Sequence, residues 1–352
     1  MASDPSLLAG PSPDGPASGG LSGEKTAGGS GFGRYLRGRL TGSVASLVLV
    51  YLSSFFIFRV LGGDPLQAIA KDRRMTPEER AALREQLGLD QPLLAQFGKY
   101  TADVFSGNFG TSYQYRRPVM ELVLERLSAT VLLTGTALVL SVAVGLWVGA
   151  RAGWRHGSRL DRAHVGVSLT LWSAPTFWLG MIVIMIFARQ FGLFPVGGMV
   201  SHNVGPGLLA ETLDVAHHLV LPAITMTAVI YAQYVLVMRS SILDEIGHDY
   251  LTTARAKGLR DDLVRRRHAI PNALLPTVTL VFLQLGGVIS GAIVTETIFS
   301  WPGLGRMVFE SIGFRDFPVL QTTFVLFSAA VIVANMCADI AYWFLDPRVR
   351  KA

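Results

Sequence analysis

A single cysteine, Cys337, stands in this chain of 352 residues. One thiol permits no intramolecular disulfide and no thiolate metal cage, and its place inside an apolar run suits a small packing residue. Charge is also scarce. Asp, Glu, Lys and Arg make up 16% of the chain against 50% apolar residues, and the mean hydropathy is +0.42, a balance foreign to an ordinary soluble domain. No Gly-x-x-x-x-Gly-Lys-Ser/Thr phosphate loop occurs, and the glycines from Gly28 to Gly33 lie in a polar stretch without a preceding strand. The chain is therefore expected neither to hydrolyse ATP nor to hold a cofactor or metal of its own. A cleavable leader is missing as well: the first apolar block begins some forty residues in and is long enough to span, so it reads as an uncleaved anchor.

What the chain does have is hydrophobicity gathered into blocks of about 20 residues, the length a helix needs to cross a hydrocarbon core roughly 30 Å thick. Six blocks, at about 41–61, 129–150, 164–188, 219–238, 276–296 and 320–344, predict an all-α integral membrane protein with six transmembrane helices. Each is apolar on every side and interrupted mainly by Gly, Ser and Thr, small residues that let helices approach closely. Pro175 predicts a kink in the third span. Trp172, Trp178, Trp301 and Trp343 read as interfacial or packing aromatics.

The net charge of +6 (31 basic minus 25 acidic) is dealt out to alternate loops. Arg34, Arg37 and Arg39 precede the first span; Arg151, Arg155, Arg159 and Arg162 separate the second from the third; Arg239, Arg255, Lys257, Arg260 and Arg265 to Arg267 separate the fourth from the fifth; Arg348, Arg350 and Lys351 close the chain. Positive flanks stay in the cytoplasm, so both termini of this multi-pass protein are expected there. The same distribution argues against a nucleic-acid surface. The loop at 63–127 carries Lys71, Arg73, Arg74, Arg116 and Arg117 but also acids, and at about 65 residues it lies outside that charge rule, which leaves it extracytoplasmic.

Residues 1–33 are rich in Gly, Ser, Pro and Ala and read as a disordered cytoplasmic tail, with the six-span body over 34–352. In the long loop, Thr76-Pro77-Glu78-Glu79 has the form of a capping box and Gly88 suits a helix stop. Leu93, Phe97, Tyr100 and Val104 then form one apolar face, which could lie on the membrane surface or pack locally.

The loop at 239–275 is the most informative. From Asp249 to Asn272 it reads as two short helices meeting at Gly258, with Asp249 capping the first, Asp261 or Asp262 capping the second, and Pro271 leading back to the membrane. Such a pair, presenting Tyr250, Leu251, Ala254 and Lys257, suits a groove on a soluble partner; an ordinary solvated loop is the alternative. Polar residues inside the spans, Gln233, Gln284, Ser290, Thr295, Glu296, Asn335 and Asp339, would be costly facing lipid and are candidates for a substrate path. Each also has a plainer reading, Glu296 and Asp339 reaching the interface and Gln or Asn bonding a neighbouring helix.

At this loop the sequence resembles the permeases of binding-protein-dependent ATP-binding-cassette importers. Their pattern is Glu-Ala-Ala, three residues, Gly, nine residues, an aliphatic residue, one residue and Leu-Pro. Ala254, Gly258 and Pro271 match, while Thr252 and Thr253, His268 and Ile270 depart from it. Asp249-Tyr250 and Thr253 to Leu259 are similar to the dipeptide, oligopeptide and nickel branch. So are Gly63-Asp64-Pro65, Leu87 to Pro92, Gly107 to Ser112, Phe299 to Gly305 and Leu345 to Arg348. The resemblance implies a type I importer permease without an ATPase site. It implies partnership with a second permease, two cytoplasmic ATPases carrying ATP and Mg, an external solute-binding protein, membrane lipid and a peptide cargo moved by alternating access. The coupling residues it implies are Asp249, Tyr250, Ala254, Arg255, Lys257, Gly258, Ile270 and Pro271. Nickel or another small solute stays open as cargo, and an ion-driven secondary transporter or a membrane scaffold as alternatives of another class, although no internal repeat of the carrier kind is visible.

Overall fold

The computed structural model describes residues 28–61, 66, 76–86, 88–290 and 293–345. The expected tail up to residue 27, Gly63-Asp64-Pro65, Lys71, Arg73, Arg74, Leu87 and the closing Asp346-Pro347-Arg348, Arg350 and Lys351 lie outside the described residues. Among the described residues all regular structure is helical apart from a single bridge between Thr111 and Pro118.

The first long helix, α1 (Gly28–Phe55), continues as a π-helical turn to Leu61. It is helical five residues before the expected end of the tail. In the loop that follows, α2 (Pro77–Gln86) opens on the expected capping box: Glu79 N donates to Thr76 Oγ1 at 3.2 Å and Thr76 N to Glu79 Oε2 at 3.0 Å. Gly88 ends that turn with φ +65°. Helix α3 (Leu93–Phe105) lays Phe97 and Tyr100 on α1, where Tyr51 stacks on Tyr100 at 5.0 Å and its hydroxyl donates to Thr101 Oγ1 at 2.8 Å. Leu93 stays exposed, so the apolar face is divided between local packing and the surroundings.

Next comes α4 (Val119–Trp154), whose 36 residues make it longer than a bilayer core requires. The expected third span is not one rod. It is α5 (Arg159–Ser173) and α6 (Thr176–Val183, extended as a π-helix to Gln190), bent by 102° at Ala174 and Pro175. The proline excludes its predecessor from the helical region, and Ala174 takes φ −74°, ψ 131°, so two extended residues replace the expected kink. Helix α7 (Leu208–Ile246) contains Pro222. After the cytoplasmic-loop helices α8 (Asp249–Ala256), α9 (Asp261–Val264) and α10 (Ile270–Ala273), the expected fifth span is described in the stretches α11 (Leu275–Ser290) and α12 (Ile293–Ile298), on either side of two residues outside the described set. Helix α13 (Leu304–Phe314) and the long α14 (Phe317–Leu345) complete the chain. Among the described residues four helices are long and apolar enough to cross a membrane, or five if the bent pair is one span.

The centre of the bundle is α4 against α7. Gly145, Gly149 and Gly153 recur every fourth residue on α4, and a Cβ at any of them would fall 2.4–2.9 Å from Tyr234, Val235 or Arg239. The two backbones therefore touch, with no side chain between them. Since 145 meets 234 and 153 meets 239 and 242, the helices run parallel, and the bent α5–α6 segment must return across the bundle between them. Helix α11 runs antiparallel to α7, with Gln284 on Gln233 at 3.0 Å, while Thr134 of α4 donates to Val288 O at 2.6 Å. Helix α1 runs antiparallel to α14: Phe58 meets Phe324, and Arg39 pairs with Asp339 at 3.1 Å. These alternating directions bring the ends of α4, α7 and α8–α10 to one face of the molecule.

Candidate functional site

On that face the 249–274 segment folds onto the ends of α4 and α7. Helix α8 buries Leu251 (0% exposed) and Ala254 (6%) among Ala150, Met238, Ile242, Val264, Ala269 and Ala273, with Tyr250, Leu259 and Ile270 at the margin. Leu251 and Ala254, expected on the docking face, are thus the seat of the helix. The face turned outward carries Asp249, Thr252, Thr253, Arg255, Ala256 and Lys257.

The helix ends as its sequence dictates. Gly258 has φ +82°; its N–H donates to Arg255 O at 2.9 Å, and Leu259 N reaches back to Ala254 O at 3.3 Å while its side chain joins the buried cluster. This is the paired bonding of a left-handed helix stop, and a Cβ at Gly258 would meet nothing within 4 Å, so the glycine is there for its backbone angle alone. The expected aspartate caps are not formed. His248 and Arg260 occupy the cap positions without capping the helix through their side chains, and the aspartates sit inside the first turns, where their charge faces the positive helix end.

Asp261 has another task. Trp154 Nε1 at the end of α4 donates to its Oδ2 at 2.7 Å, and Arg255 Nε of α8 to its Oδ1 at 3.2 Å, with the Arg255 guanidinium 5.5 Å from the Trp154 ring. Tyr250 is held similarly: its hydroxyl donates to Glu245 and accepts from Asn272 Nδ2 at 3.0 Å. Burial and the bond to Glu245 raise the Tyr250 phenol above its ordinary pKa. Ile270 packs on the cluster, and Pro271 is exposed in a helix that continues past it. The π-helical turn Arg265–Ala269 ends one residue before this proline, which lacks an N–H for the regular ladder. Beside this unit, Arg239 clamps the buried Asp161 bidentately, at 2.7 and 2.9 Å, tying α7 to the start of α5.

The expected substrate-path residues are not brought together. Gln233 and Gln284 bond each other. Asp339 pairs with Arg39 and Asn335 is exposed on α14. Ser290 closes α11. Glu296 reaches no interface: it is fully buried, accepts Thr130 Oγ1 and Arg306 N at 2.9 Å each, and lies against Gly303 and Gly305, where a Cβ would stand 2.4 and 2.9 Å from its carboxylate. It caps α13 from below, and the Phe299 to Gly305 phrase closes over it, with Trp301 fully buried and its Nε1 donating to Ala129 O at 2.8 Å.

A cavity of about 320 Å³ opens beside the break of the third span, lined by Thr176, Met226, Val229, Ile230, Ile293, Val294 and Thr295. Of the expected path residues Thr295 lies on it; its other walls are mostly apolar and carry no polar signal in the sequence. The Asp261 clamp and the Asp161–Arg239 pair also escaped notice, having no periodic signal. The Gly145-Gly149-Gly153 spacing did carry one.

The sequence profile for the binding-protein-dependent transport system inner membrane component matches residues 141–351, and that for its N-terminal part residues 32–134. The chain is 37% identical over 334 residues to a dipeptide transport system permease protein of Escherichia coli K12, covering 90% of this chain and 98% of the relative. It is 37% identical over 320 residues to a probable peptide ABC transporter permease protein of Sinorhizobium fredii, covering 90% and 99%. A glutathione transport system permease protein of Salmonella paratyphi A matches at 37% over 317 residues, covering 90% and 98%.

Proposed function

Because the chain belongs to the family of binding-protein-dependent transport system inner membrane components, we propose that it is the membrane-spanning permease of an ATP-driven importer and that its cargo is a peptide. Relatives named for dipeptides, peptides and glutathione support peptide over nickel. The permease works with a second permease, two cytoplasmic ATPases that bind ATP and Mg, and an external solute-binding protein. It has six crossings in the type I arrangement, the loop at 63–127 outside and both termini inside.

One observation carries the coupling role. Helix α8 is a short helix locked into the bundle through Leu251 and Ala254, closed by a glycine stop, with its opposite face turned outward. A partner pushing on that face moves α4 and α7 through rigid contacts, because the packed cluster transmits displacement and does not absorb it. The cargo passes along the cavity beside the break of the third span. Irregular backbone is tolerated at membrane depth where it lines such a space, and walls without charge suit a cargo whose termini are read by the binding protein.

The test is to purify the tagged chain from its native membranes in mild detergent and to crosslink from Thr253→Cys, an exposed position on α8. Recovery of a second permease with phosphate-loop ATPases, and a crosslink from residue 253 to the ATPase, is the expected result. A chain that comes out reproducibly alone, crosslinked or not, overturns the importer reading.

A further inference from the structure

A second cavity, of about 240 Å³, lies at the loop end of the first and last long helices, far along the chain from α8. Phe55 of α1 and Val325 of α14 give it apolar walls, Tyr100 and Tyr113 line it with aromatic rings, and Arg59, Lys99 and Asp103 bring charge of both signs. It is smaller than the roughly 300–1,000 Å³ sites that hold whole drug-sized ligands, and fits a headgroup. Arg59 is braced against α3, its Nε donating to Gln96 Oε1 at 2.5 Å, while the Lys99 ammonium lies beside the Gly88 turn.

The surroundings are those of a membrane interface. Leu52, Phe56 and Ile57 are exposed on α1, and α3 leaves Leu94 (82%) and Phe105 (85%) standing almost clear of the protein. Helix α3 carries its aromatic face against α1 and these apolar side chains outward, which is the behaviour of a helix lying in the headgroup layer. Cations at the rim of a cleft between spanning helices, above apolar walls that lead into hydrocarbon, match a phosphate with acyl chains attached.

We propose that this cavity binds the headgroup of a phospholipid of the leaflet on the loop side, with its phosphate held by Arg59 and Lys99. Asp103 takes the ammonium of a zwitterionic head, and the acyl chains run down the Phe56 and Ile57 flank of α1. A free phosphate shares the oxyanion chemistry but leaves the apolar walls unused. The inference rests on the membrane reading of the fold and is independent of how the chain couples to an ATPase.

The test uses the purified complex in nanodiscs of phosphatidylethanolamine or phosphatidylglycerol, followed by mild detergent exchange and mass spectrometry of the phospholipid that stays bound. Wild type retains phosphatidylethanolamine, and Arg59→Gln or Lys99→Gln each retain about fivefold less, from the loss of one interfacial cation. Asp103→Asn shifts the preference towards phosphatidylglycerol. Should Arg59→Gln fail to accumulate, the exposed Lys99 gives the same reading alone. Equal retention by wild type and variants overturns the proposal, as does displacement of the lipid by millimolar inorganic phosphate, which would mark a plain anion site. Loss of the ATPases on purification would sink the importer reading and leave lipid retention as it was.

Discussion

Three residues show how differently similar substitutions act. Gly258→Ala meets open space, so its cost is the left-handed backbone alone, about 1 kcal/mol. The thermal midpoint of the solubilised chain should fall modestly while the fold survives. Gly303→Ala drives a Cβ to 2.4 Å from the Glu296 carboxylate, which is fixed from the other side by Thr130 and Arg306, and the chain should fail to accumulate in the membrane. Glu310 reports on pH. Burial works to raise its pKa, but the bonds from Tyr115 at 2.7 Å and Arg306 at 2.8 Å outweigh it, and the carboxyl lies below its ordinary value. A depressed carboxyl stabilises the fold above its unfolded pKa and ceases to as pH falls through the folded one. The stability difference between wild type and Glu310→Gln, measured by thermal unfolding, should therefore be constant at neutral pH and shrink below about pH 4.5. A difference that grows on acidification would show the sign to be wrong.

Among the helices, α4 and α7 are held by what is missing between them. Gly149→Val would place atoms where Val235 O lies 2.6 Å from the first carbon alone, forcing the pair apart at about 3 kcal/mol or more, whereas Gly135→Val on the same helix meets nothing. Membrane accumulation and thermal unfolding of the two variants should separate cleanly; similar behaviour would refute the close-approach account. The broken third span follows a different logic. Ser173-Ala174-Pro175 removes one helical residue by sterics and one by its missing N–H, and the 102° bend is the outcome. Proline is visible in the sequence; the size of the bend depends on Gly180 meeting Phe299 and on what α6 can rest against.

For the whole molecule, the Asp261 clamp joins α8, the turn after it and the end of α4. Asp261→Ala removes exposed bonds worth little to stability, yet it frees the proposed coupling unit from the end of α4. Peptide taken up per ATP hydrolysed should fall about fivefold, with hydrolysis maintained. Unchanged uptake per ATP would take the clamp out of the coupling route.

Legible along the chain were the all-helical membrane class, apolar runs that fall within α1, α4, α7 and α14, the capping box at Thr76, the glycine stops at Gly88 and Gly258 and the importer-family loop. These are local matters, written in the length and composition of runs or in the backbone angle one residue requires. Only the tertiary structure decided which face of α8 is seat and which is free, since Leu251 and Ala254 read equally well in either role until a cluster forms beneath them. It also decided that Glu296 caps a helix and that Gln233 and Gln284 satisfy each other. A polar side chain in an apolar run states only that it needs a partner. Which partner it finds is fixed by helices meeting from distant parts of the chain.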